Sequence, residues 1–258
     1  MLTIRYYQIP TASRQLIHEP PPLFPHDTSS SNYKPRVNNH EYWALDHNHA
    51  DSCRGFITNW LAAKPLDLFQ VQWTPSSTPS LRFLRSGAGR REMLMFIAGA
   101  CLKSHHHHKI AYGGAAVAYT CVTESYPLQL PLPPATQDNP HTSNRALIFA
   151  AFKAVELSLV FSQTEVFDSV VLACDSEYLV EGITDHVPTW VKNEWMMSGE
   201  DRPVEDNDMW HLLLEKIREA ERWGILVQFW QIPRELNEAY VFAQYAVQSR
   251  LASTSAYP

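Results

Sequence analysis

The chain has 258 residues, 45% hydrophobic, 12% aromatic and 19% charged, which is enough apolar material for one large domain or one domain with a substantial appendage. Its 21 Lys and Arg against 27 Asp and Glu leave a formal charge of −6, which argues against a nucleic-acid binder driven by bulk positive charge. Four scattered cysteines without a CxxC pair argue against a disulfide scaffold, and an N-terminus reading MLTIRYYQIP lacks the apolar run of a signal peptide. No stretch approaches the roughly 20 apolar residues of a membrane span. An intracellular protein, nuclear or cytoplasmic and with no membrane partner, is expected.

Charge and proline divide the chain near residue 88. Residues 1–88 carry 8 basic and 6 acidic side chains and half of the 18 prolines, whereas residues 89–258 carry 13 basic and 21 acidic, a balance of −8. The first segment, with Pro20-Pro21-Pro22 and Ser29-Ser30-Ser31, is expected to be a Pro-rich, partly ordered extension packed on a main domain over 89–258. Within it, Asp51 or Ser52 is expected to cap a short helix through Phe56, Ile57, Trp60 and Leu61. The alternating Phe69 to Trp73 reads as a strand.

From residue 92 an α/β alternation begins. Met93 to Ala100 is a continuous apolar run suited to a strand covered on both faces, and Tyr112 to Val122 is a second strand with small residues for close packing. Pro127 to Leu132 reads as an edge strand. Ser143 or Asn144 is expected to cap a helix to about Phe161, followed by a buried strand at Val170 to Cys174. Helices are then expected around 176–184, around 190–197 and from Asn207 to Trp223, a last strand at Ile225 to Ile232 and a last helix from Asn237 to about Leu251. This order implies a mixed sheet with helices packed on it.

Several local sequences resemble the ribonuclease H family. Ile97-Ala98-Gly99-Ala100-Cys101 is similar to its first-strand T-D-G-A-C, and Ala111 to Val117 to its glycine-rich second strand. Thr142 to Leu147 resembles T-N-N-R-A-E, and Cys174 to Leu179 resembles t-D-S-x-Y-v. Pro203 to Trp210 and Trp230 to Asn237 resemble the entries to its long helix and its last helix. Six motifs in order over residues 89–253 imply a ribonuclease H-like, mixed five-stranded sheet flanked by helices.

The resemblance also implies cleavage of the RNA strand of RNA–DNA hybrids by two Mg²⁺ ions held on four carboxylates. At those four positions the chain has Ala98, Leu147, Asp175 and Val241, or Tyr240 with a shift of one residue. Only Asp175 is acidic, and Arg234 and Glu235 occupy the turn where many members carry a His. No catalytic residue, metal or other cofactor is therefore expected, and Mg²⁺ enters only if residual activity uses Asp175, with Glu238 as second carboxylate.

Binding is a separate question. Gly99, Ser143, Asn144 and Ser176 match family positions that contact a hybrid, and Asn144 reads equally as a helix N-cap. Arg82, Arg85, Arg90, Arg91, Lys103 and Lys109 against Glu92 suggest a basic flank for phosphates beside that site. His105 to His108 reads as a solvated loop, and His40, His47, His49 and Cys53 match no zinc spacing. Cys101, Cys121 and Cys174 read as core residues, and Trp190, Trp195, Trp210, Trp223 and Trp230 as packing residues. The favoured expectation is a catalytically inactive module that binds a protein partner or scaffolds an assembly. The alternatives are a non-catalytic binder of RNA or RNA–DNA hybrid, and a weak residual ribonuclease.

Overall fold

The computed structural model describes residues 54–56, 63–74, 81–87, 90–103, 111–120, 127–137, 139–199 and 201–255. Strand β4 (Arg90–Lys103) is central. On one side its C-terminal half pairs antiparallel with β5 (Ala111–Ala118), which pairs with β6 (Leu128–Pro131). On the other side it pairs parallel with β7 (Ser169–Cys174), which pairs parallel with β8 (Leu226–Gln231). The order β6-β5-β4-β7-β8 is the expected five-stranded sheet.

Three more strands extend it to eight. The hairpin of β2 (Gln70–Trp73) and β3 (Leu81–Gly87) adds to the N-terminal half of β4, and β1 (Arg54–Gly55) runs parallel to β8 at the far edge. Arg54 and Gly55 are thus strand, not helix: Phe56 N–H donates to Phe229 C=O, and its ring packs on Trp230. The rest of that expected helix lies outside the described residues. Three of the elements described before residue 88, β1, β2 and β3, are strands of this sheet.

Alternation along β4 divides the core. Met93, Met95 and Ile97 face a cluster with α2 (Ser143–Phe161) and α5 (Asn207–Arg222), while Leu94, Phe96 and Ala98 face Phe56, Phe69, Phe83 and α6 (Tyr240–Ser255). Two glycines permit the closest helix approaches. A Cβ on Gly99 would lie 2.3 Å from the Leu147 nitrogen of α2, and one on Gly114 would lie 2.8 Å from Val247 of α6.

Helix α2 is capped by Thr142, whose Oγ1 accepts from the Arg145 N–H at 2.9 Å, so neither Ser143 nor Asn144 is the cap. After β7 come α3 (Glu177–Glu181), a π-helical turn over 182–186 and α4 (Val187–Lys192), with α1 (Pro65–Leu68) preceding β2. The helix expected around 190–197 stops at Lys192, because Glu194 and Trp195 take left-handed φ of 54° and 63° and reverse the chain. This lets Trp195 stack on Trp190 and His211. Trp210 is fully buried, whereas Trp223 is 43% exposed and is no core residue.

Candidate functional site

One end of the sheet collects the positions singled out in the sequence. The parallel ladder pairs Phe96 with Ala173, and two further residues along each strand set Ala98 level with Asp175. The contact of Gly99 with the Leu147 backbone brings the start of α2 to the same place. The turn after β8 closes it. That turn is a single 3₁₀ turn at Arg234–Leu236, leading through Asn237 into α6.

Asp175 is fully engaged by this turn. Arg234 Nε donates to Asp175 Oδ2 at 2.6 Å, and Asn237 Nδ2 donates to Oδ1 at 2.9 Å. The same Asn237 amide donates to the Ile97 carbonyl at 3.0 Å, while its Oδ1 accepts from the Ala239 N–H. Asn237 is buried, so it ties β4, β7 and α6 together through one side chain. The Arg234 guanidinium also lies 4.9 Å from the Tyr240 ring centre. Its bond to Asp175 raises its pKa further above the ordinary arginine value. An open hollow beside this group is lined by Asp175, Gln231, Ile232, Pro233 and Arg234.

The remaining positions supply no carboxylate. Ala98 is buried against α6 and Leu147 in the opposite cluster. Val241 is 47% exposed near the start of α6, and Tyr240 of that helix lies beside Arg234. Glu177, Glu235 and Glu238 are exposed. Two Mg²⁺ ions need several anionic oxygens at one place. These residues do not fit such a pair, because the one carboxylate is already held by a cation and an amide. Among the described residues no group of three or more His, Cys, Asp or Glu is placed to share a metal ion. Cys174 is buried, and burial pushes its thiol up to about 12.

Among the described residues of the expected basic flank, the arginines do not share one surface. Arg82 is buried and meets Glu165 at 3.1 Å, with its guanidinium 4.0 Å from the Phe161 ring centre. Arg85 pairs with Glu92. Arg90 and Arg91 open β4 nine residues before Gly99, about 30 Å away at the rise of a strand. Arg91 also donates to the Val166 carbonyl, and its backbone N–H donates to Asp168. Lys103 ends β4, whereas Lys109, the four consecutive histidines and the His40 to Cys53 set lie outside the described residues.

Ser143 and Asn144 are exposed on the first turn of α2. Ser176 caps α3 by accepting from the Leu179 N–H. Cys101 is only partly buried, and its thiol donates to the His141 carbonyl. Behind the exposed turn, Arg145 donates to both oxygens of Asp208 at 2.8 and 2.5 Å and to Asp206 at 3.2 Å, which locks α2 to the start of α5. Bonds from Arg145 hold the Asp208 carboxyl below its ordinary range, while burial raises that of Asp206.

Sequence reasoning did not assign Arg234 and Asn237 as partners of Asp175. The signal was a basic residue gained at the turn where the metal-binding pattern is lost.

Comparison with known proteins gives a consistent picture. A family model described as RNase H matches residues 90–226, more than half of the 258, and stops just before the turn that carries Arg234. A protein named Ribonuclease H from Afipia carboxidovorans is 34% identical over 87 residues, covering 33% of this chain and 54% of its own length. Another of that name from Xanthomonas oryzae pv. oryzae is 35% identical over 85 residues, covering 32% of this chain and 52% of its own. The chain spans about half the length of the curated relatives it matches. The solution structure of the PFV RNase H domain superposes with a TM-score of 0.44 at 16% identity, covering 60% of this chain and 92% of that one.

Proposed function

The chain belongs to the ribonuclease H family, and we propose that it binds RNA–DNA hybrid or duplex RNA without the family's two-metal cleavage. One observation carries this reading: Asp175 is bonded to Arg234 and Asn237 instead of standing open to a metal. With Ala98, Leu147 and Tyr240 at the other positions, no second carboxylate among the described residues stands beside Asp175 to hold a metal pair. What the same end does present is donors. Ser143 and Asn144 project from the exposed first turn of α2, and Gly99 keeps the backbone close to it. Such groups suit the 2′-hydroxyls and shape by which RNA-containing duplexes are read. The acidic balance of residues 89–258 keeps the binding moderate and sensitive to salt.

A mobility-shift titration with hybrid, duplex RNA and duplex DNA at low salt tests the proposal. Retardation of the RNA-containing duplexes with both strands intact is expected. No shift at tens of micromolar protein removes it.

A second reading, a protein-interaction or scaffolding module, is favoured by one observation. Leu66, Val71 and Trp73 are 46%, 46% and 67% exposed along α1 and the edge strand β2. Sedimentation of wild-type and Trp73→Glu chains over a range of concentrations probes that surface, and identical monomeric behaviour counts against self-association through it.

A further inference from the structure

The Arg234–Asp175 pair sits where a nuclease of this family would hold its ions, and it has the opposite electrostatic consequence. Four carboxylates without metal repel a phosphodiester at that point of contact. Here Asp175 is balanced by the guanidinium within the pair itself, and the other three positions are uncharged.

The guanidinium is also oriented. Asp175 takes its Nε and Tyr240 lies beside it at 4.9 Å, yet the Arg234 side chain remains 64% exposed at the rim of the hollow. Nε is committed to the inner carboxylate and a further side-chain hydrogen bond joins Arg234 to Tyr240, which leaves the remaining guanidinium donors for an outer acceptor. An arginine presents these donors as a planar fork matched to phosphate oxygens. The carboxylate of Asp175 is itself fixed by Asn237, which is anchored to the Ile97 carbonyl, so the fork is mounted on the buried sheet.

We propose that Arg234, positioned by Asp175 and Tyr240, is a phosphate-binding residue for the backbone of the bound duplex, so that binding at this end needs no divalent cation. The inference rests on the nucleic-acid reading above and assigns it a residue. Glu235 and Glu238, exposed on the same turn, oppose the phosphate and limit affinity.

Fluorescence anisotropy of the full chain with a labelled RNA–DNA hybrid tests it, run once with excess EDTA and once with Mg²⁺. Equal or tighter binding in EDTA is expected. Arg234→Gln is expected to weaken binding about tenfold, the loss of one charge-assisted phosphate contact. Arg234→Lys is expected to recover part of it, because charge is kept and the fork is lost. The pair variant Arg234→Gln with Asp175→Asn keeps the site neutral and is expected to bind less tightly than wild type but no more weakly than the single variant, in which Asp175 stands unbalanced. Binding that requires Mg²⁺, or Arg234→Gln at wild-type affinity, overturns the inference. If Arg234→Gln is silent while Ser143→Ala with Asn144→Ala weakens binding, the nucleic-acid reading stands and only the role of Arg234 falls. If the wild-type chain binds no hybrid in either buffer, both fall.

Discussion

Two arginine–carboxylate pairs in this molecule have the same chemistry and opposite settings. Arg82 and Glu165 meet at 3.1 Å with side chains 0% and 3% exposed, between β3 and the segment after α2. Arg234 and Asp175 meet at 2.6 Å with side chains 64% and 14% exposed, beside an open hollow. The inner pair has lost its water on both sides, and neither oxygen of Glu165 has an aligned donor. Removing one partner strands a charge in the core. The outer pair is screened and holds little of the fold, but its cation stays within reach of a ligand. Burial, not the pairing, separates the two settings.

Mutations at the two pairs should therefore separate cleanly. Glu165→Ala should destabilise the chain by about 3–5 kcal/mol, the cost of breaking a buried pair. Chemical denaturation measures it, and the double change Arg82→Met with Glu165→Leu should recover most of the loss. Gly99→Ala is expected next, at about 3 kcal/mol, since its Cβ meets backbone and not a movable side chain. Arg145→Ala should cost about 2 kcal/mol by leaving two carboxylates at the α2–α5 junction without their donor.

The Arg145 site also makes a prediction about pH. Asp208 is held below its ordinary value of 3.8, so its contribution is present above that pH and is lost as pH falls through the lowered folded value. Asp206, raised by burial, contributes with the reverse sign. Asp208 is 40% exposed, so screening keeps the step small. Acid titration of thermal midpoints should show this step in the wild type and not in Asp208→Asn. Arg234→Gln closes the series: its thermal midpoint should match wild type even though hybrid binding is weakened. A large loss of stability there would break the contrast between the two pairs.

Much of the fold was legible because buried parallel strands and an amphipathic α5 leave strong patterns. Met93 to Ala100 and Val170 to Cys174 could only be inner strands, and Asn207 to Arg222 shows one apolar face. The errors were local. Thr142 competes with Ser143 and Asn144 as a cap, and only the Arg145 N–H contact decides among three adjacent polar residues. Strands β1 and β3 owe their place to long-range pairing with β8 and β4, which no short window encodes. Arg82 reads as surface charge until its distant partner Glu165 is placed beside it. At the candidate site the uncharged residues Ala98 and Leu147 could be read directly from the sequence. The recruitment of Arg234 and Asn237 to Asp175 was not, because it joins residues about sixty apart in sequence.

As proposed, this member of the family holds an RNA-containing duplex without hydrolysing it. A labelled RNA–DNA hybrid incubated with the purified chain and Mg²⁺ or Mn²⁺, read on a denaturing gel, tests that most directly. An intact RNA strand that migrates with the protein on a parallel native gel is expected. Cleavage of the RNA strand that disappears in Asp175→Asn would contradict it.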